Sequence, residues 1–130
     1  MKSVVRWTGG WEMEGETESG KIAPIYTDSA PSPMEMVLQA QGACSLIDVC
    51  AGLKDRLDDV KAMWVELEAN RRTEHPKSFS SIQMKYIVEG NVPEKLVHRL
   101  IKGSQEKYCS VGAMVIGGGA DVEWSLELRN

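Results

Sequence analysis

Residues 32–53 read SPMEMVLQAQGACSLIDVCAGL, and this stretch decides the fold. Ser32 can cap a helix, Pro33 suits its first position, and Glu35 completes an S-x-x-E capping box. The helix runs through Met34, Val37, Leu38, Cys44, Ile47 and Ala51 to about Leu57, with Lys54-Asp55-Arg56 and Asp58-Asp59 returning to solvent. Between Met36 and Leu53, apolar or small residues occupy most of its circumference, the pattern of a helix buried on more than one side. Glu35, Gln39, Gln41 and Asp48 interrupt that run, which argues against a membrane span of about 20 predominantly apolar residues.

Upstream, the chain reads as an antiparallel meander. An N-terminal strand carries Val4, Val5 and Trp7, and Gly9-Gly10 punctuates it. A second strand, 11–16, is acidic and expected at an exposed edge, where charge discourages sheet-to-sheet pairing; a third covers 21–26. Downstream come strands at 62–67 and 82–88, the latter alternating Ile82, Met84, Tyr86 and Val88 inward. Asn91 and Glu94 bracket Val92-Pro93 as a second capping box, opening a helix through Val97 and Ile101 that ends near Cys109. A short apolar segment, 111–116, leads to Gly117-Gly118-Gly119, read as a loop, and then to a final strand, 122–128. The order βββ-α-ββ-α-β is that of an α+β domain, and 130 residues suit one domain, 1–130. Trp7, Trp11, Trp64 and Trp124 are expected in the core or in a dimer interface.

The net charge of −4 and the lack of a basic stripe exclude nucleic acid as an expected partner. The N-terminus MKSVVRWTGG is too short and too polar beyond Trp7 for a secretory core, so the expected location is the cytoplasm. Cys44, Cys50 and Cys109 form no C-x-x-C pair, and His75 and His98 are the only histidines, so neither a metal site nor a disulfide scaffold is expected. Three free thiols remain, as packing or as chemistry.

Ser32-Pro33-Met34-Glu35, then Gly42-Ala43-Cys44, then Glu89-Gly90 before a helix, then Glu106-Lys107-Tyr108-Cys109-Ser110-Val111 resemble the OsmC/Ohr family in order and spacing, from about Ala30 to Trp124. The resemblance implies an α+β fold with antiparallel sheets packed on a buried central helix and an intertwined homodimer. It also implies a cysteine-dependent peroxidase of oxidative-stress defence that reduces organic hydroperoxides. Cys44 would be the attacking thiol and Cys109 the one that resolves its sulfenic acid as a disulfide. A dithiol reductant would complete the cycle, with no cofactor.

The residues support this in part. A peroxidatic thiolate needs a cation or a helix N-terminus, yet Cys44 lies three turns into its helix, and Asp48, one turn later on the same face, opposes negative charge there. Cys109, read near a helix C-terminus, suits resolving better than attacking. An inert buried thiol is the alternative for either residue. Cys50 points about 120° away from Cys44 around the helix and reads as a small core residue.

The sequence also departs from the family's peroxidases. Those place a glutamate directly after the helix-opening proline, where this chain has Met34, and pair it with an arginine from the N-terminal strands, a region that offers only Arg6 and Lys21 here. Lys107, beside Cys109, is a further candidate cation. These departures resemble a divergent branch of the family. They keep open a second function: a non-catalytic protein binding a small apolar ligand or partner at the same cleft.

Overall fold

The computed structural model describes all 130 residues, which fall into two compact units, 1–37 and 38–130. The first holds strands β1 (Ser3–Gly9), β2 (Glu12–Thr17) and β3 (Ile22–Ile25), paired antiparallel in the order β1-β2-β3. Gly9 and Gly10 take positive φ angles at the β1–β2 turn, as the meander reading requires. The acidic strand β2 is the middle strand and not an edge, so its glutamates do not guard a free edge; Glu16 instead accepts from Arg6 of β1 at 2.7 Å. Trp7 is 70% exposed, and Trp11 is 82% exposed in the turn rather than on a strand, so neither is a core residue of the single chain.

Helix α1 (Pro33–Gly52) opens with the expected capping box: the Ser32 N–H donates to Glu35 Oε1 at 3.0 Å, and the Glu35 N–H to Ser32 Oγ at 3.4 Å. It stops short of Leu57, at Gly52, and a 3-10 turn at Leu57–Asp59 follows. One side of α1 is buried, through Gln41, Gly42, Ser45 and Val49, while Ile47 is 66% exposed in the single chain. Gly42 and Gly52 set its two close approaches. A Cβ on Gly42 would lie 2.9 Å from Leu67 Cδ1, and one on Gly52 would lie 2.2 Å from Leu100 Cδ2.

Strands β4 (Val60–Arg71), β5 (Phe79–Gly90) and β6 (Asp121–Arg129) form the second sheet. β4 and β5 pair antiparallel, but β5 and β6 pair parallel, so this sheet is mixed where antiparallel sheets were expected. The long helical connection between β5 and β6 carries the chain back to the start of the sheet, which a parallel neighbour requires. Both β4 and β5 outrun their apolar cores because backbone pairing continues to Arg71↔Phe79. Ile82, Met84, Tyr86 and Val88 are all buried on the side expected for them, and the Trp124 ring of β6 meets Tyr86 edge-on at 6.3 Å.

Helix α2 (Glu94–Gly103) buries Val97 and Ile101, but the second capping box does not form. Pro93 takes the N-cap position in an extended conformation without a side-chain cap. A π-helical turn, Ser104–Tyr108, follows, and then helix α3 (Ser110–Gly117), where only a short apolar segment was expected. Cys109 therefore ends the helical run from α2 through the π turn, as expected, and also stands at the N-terminus of a further helix. Its extended backbone breaks the π turn, and its sulfur caps α3 by accepting from the Gly112 N–H at 3.3 Å.

Candidate functional site

On α1, Gln41, Cys44, Ser45 and Asp48 recur at i, i+3, i+4 and i+7, so the helix presents them along one face. Met84 and Tyr86 of β5, Ser104 and Gln105 of the π turn, and Cys109 at the head of α3 meet that face.

The two thiols are neighbours and both are free. Cys109 is 6% exposed, whereas Cys44 is half-buried and the more accessible of the two. Burial pushes the Cys109 thiol above its ordinary range; the Gly112 N–H works the other way, and the Cys44 thiol and the Asp48 carboxylate add to the upward push. The Cys109 Sγ–H accordingly points at the Gln41 carbonyl oxygen, 4.0 Å away. At neutral pH Cys109 is a protonated thiol, held in place by a helix cap.

Beside the thiols runs a chain of buried hydroxyls. Ser104 Oγ lies 2.7 Å from Asp48 Oδ2 and 2.8 Å from Ser45 Oγ, and Ser45 Oγ lies 2.5 Å from the Tyr86 hydroxyl. Gln105 Nε2 donates to the Tyr86 oxygen at 2.6 Å and also faces Met84 Sδ at 3.3 Å. Burial raises the Tyr86 pKa against the lowering by its Ser45 and Gln105 hydrogen bonds, so the phenol keeps its proton. Gln41 is fully buried, with its Nε2 on Met84 Sδ at 3.6 Å and its Oε1 without a partner. Leaving such an acceptor unpaired costs about 1–3 kcal/mol.

A cavity of about 440 Å³ opens one turn beyond Cys44, lined by Asp48, Ala51, Gly52, Arg99, Leu100 and Tyr108. Its walls are mainly apolar, with one acidic and one basic side chain.

The sequence-derived pair, Cys44 and Cys109, is thus brought together, while Cys50 lies half-buried about a third of a turn round the helix from Cys44. The candidate cations are engaged elsewhere or exposed. The Lys107 ammonium stacks over Tyr108 at 5.3 Å, Arg6 pairs with Glu16, and Lys21 is exposed. The sequence reading did not single out Gln41, Ser45, Tyr86, Ser104, Gln105 or Arg99. One signal was present: Gln41, Ser45 and Asp48 are polar residues at helical spacing within an otherwise apolar helix.

The family profile described as OsmC-like protein matches residues 26–125. Protein YhfA of Escherichia coli K12 is 41% identical over 119 residues, covering 88% of this chain and 89% of that one. A hypothetical protein from Aquifex aeolicus has a crystal structure 31% identical, with a TM-score of 0.83 over 99% of this chain and 97% of that one. An organic hydroperoxide resistance protein, OsmC, from Legionella pneumophila shares the fold at 15% identity, with a TM-score of 0.68 over 98% and 97% of the two chains.

Proposed function

Because the chain belongs to the OsmC-like protein family, we propose that it is a thiol peroxidase for organic hydroperoxides, with Cys44 attacking and Cys109 resolving. The observation that carries this reading is the pairing of an accessible thiol, Cys44, with a buried, protonated thiol, Cys109, at its side. The Cys44 thiolate takes the distal peroxide oxygen, the O–O bond breaks, and the alkoxide leaves as the alcohol. Cys109 then attacks the sulfenic sulfur, the S–S bond forms and water departs. A dithiol reductant returns both thiols, so free thiols in a reducing compartment such as the cytoplasm suit the cycle.

The test is a mass measurement on the intact protein after one equivalent of tert-butyl hydroperoxide. The expected product has lost two hydrogens, and peptide mapping should join Cys44 to Cys109 with Cys50 still alkylatable. A disulfide through Cys50, or no disulfide at all, sinks the resolving role.

We further propose that the working form is a homodimer. Val4, Val5, Trp7, Trp11 and Ile22 are exposed apolar residues in the first unit, too many in one small sheet for a free monomer. Sedimentation at micromolar concentration should return twice the mass of 14.4 kDa; a stable monomer would reject it.

The second reading, a non-catalytic binding protein, is favoured by the cavity beside Asp48 and by Met34 standing where the family's peroxidases have glutamate. Its ligand would be small and mainly apolar.

A further inference from the structure

The buried hydroxyls next to the thiols have a direction that chemistry fixes. An ionised carboxylate only accepts, so Ser104 spends its single proton on Asp48. Ser104 must then accept from Ser45, Ser45 from Tyr86, and Tyr86 from the Gln105 amide N–H. Every O–H in the chain points toward Asp48. If Asp48 takes up a proton, it becomes a donor, and all three hydroxyls can turn over. Asp48 to Ser104, Ser104 to Ser45 and Ser45 to Tyr86 are then equally well made, with the Gln105 amide rotated to accept. A proton can come and go at Asp48 with only the Gln105 Nε2 contact to Met84 Sδ given up.

Ser104 also ties this carboxylate to the thiols. Its Oγ holds Asp48, and its carbonyl accepts the Cys109 N–H at 2.9 Å. Asp48 itself lies one helical turn from Cys44 on the same face.

We propose that Asp48, held by Ser104 at the end of this reversible hydroxyl chain, is the proton shuttle of the disulfide-forming step. The proposal rests on the peroxidase reading above. Cys109 gives its thiol proton to the Asp48 carboxylate, and the resulting thiolate attacks the Cys44 sulfenic sulfur. The S–S bond forms as the S–O bond breaks, and the departing hydroxide takes the proton back from Asp48 as water. Hydroperoxide is the only oxidant, and the proton count balances without a further reactant. The charge on Asp48 that would slow thiolate formation at rest supports the push of Cys109 above its ordinary range, and it is the same charge that receives the proton when the sulfenic acid is present.

The role predicts effects of opposite sign on two steps. Asp48→Asn removes a negative charge beside Cys44, so loss of the Cys44 thiol to one equivalent of tert-butyl hydroperoxide should be severalfold faster than in wild type. Disulfide closure, followed by acid quench and intact mass, should be at least about tenfold slower, since a positioned acid–base group contributes roughly 10²–10⁴-fold. Dimedone should trap the sulfenic acid in the variant and not in wild type. Asp48→Glu should recover closure, and Ser104→Ala, which frees the carboxylate from its donor, should slow closure too. Thermal unfolding of each variant checks that it folds, and Ser104→Ala carries the test if Asp48→Asn does not. If these variants close at the wild-type rate, or if both steps slow in equal measure, the shuttle is overturned while the peroxidase reading stands. If wild type itself forms no Cys44–Cys109 disulfide, the peroxidase reading fails and the shuttle falls with it.

Discussion

Gly90→Ala is expected to lose about 3 kcal/mol of folding stability, from backbone strain and overpacking together. Gly90 ends β5 at a φ of +148°, a conformation that side chains rarely adopt. A Cβ there would lie 2.2 Å from the Asp59 carbonyl oxygen and 2.9 Å from Val60 Cα. Both obstacles are backbone atoms, so no rotamer change relieves them. Moving the segment would disturb the Val60↔Gly90 pairing and the Asn91 N–H to Asp59 bond of 3.0 Å, which together start the β4–β5 ladder. Gly117→Ala is the control, because a Cβ at that helical position meets nothing within 4 Å. It should be neutral or gain a few tenths of a kcal/mol, as alanine is the better helix former. Urea titrations of the two variants decide the matter. Equal midpoints for Gly90→Ala and wild type would show that the local backbone yields cheaply. Because β5 also carries Met84 and Tyr86, a shifted strand end would loosen the hydroxyl chain as well.

Where local chemistry dictated the structure, it was legible in the sequence. Ser32, Pro33 and Glu35 announced the start of α1, and the capping box forms as written. The alternation from Ile82 to Val88 identified the buried side of β5 because a strand has only two faces. The pairing of Cys44 with Cys109 came instead from resemblance to a family, since nothing local brings residues 65 positions apart together. The misreadings share one cause. Asn91 and Glu94 match a capping box in spacing, but Pro93 sits at the N-cap and no side-chain cap forms. The acidic residues of β2 looked like edge guards, yet strand order is a tertiary property that no window of sequence contains. At Cys109, the helix before it was read as continuing to the thiol, and the segment after it as too short for a helix. The π turn does carry the first helix to Tyr108, but α3 begins directly after Cys109 and adds a cap on the sulfur. Ser45, Tyr86 and Ser104 went unnoticed for the same reason. Each is an ordinary residue alone, and only the fold places their oxygens within 2.8 Å of one another in sequence along the chain.

In turnover assays with an alkyl hydroperoxide and a dithiol reductant, Cys44→Ser should abolish consumption, whereas Cys109→Ser should consume one equivalent and then stall. Serine matches the shape of the thiol but has no accessible anion at neutral pH, so the first variant removes the nucleophile itself. A loss of at least about 10³-fold is expected where a single nucleophile carries the reaction. Cys109→Ser leaves Cys44 able to form its sulfenic acid. Its hydroxyl can still accept from the Gly112 N–H and keep the cap on α3, so the stall reflects chemistry and not a lost helix. Cys50→Ala should behave as wild type, because Cys50 lies on a different part of α1. Wild-type turnover itself should be measurable but slower than that of a peroxidase with the full glutamate–arginine pair. Met34 occupies the glutamate's place, and Arg6 is bonded to Glu16. Slow wild-type turnover that depends wholly on Cys44 is therefore the signature of this site. If wild type and Cys44→Ser consume hydroperoxide at the same low rate, the thiols are not catalytic. The cavity beside Asp48 and Arg99 then becomes the place to look for a bound apolar ligand.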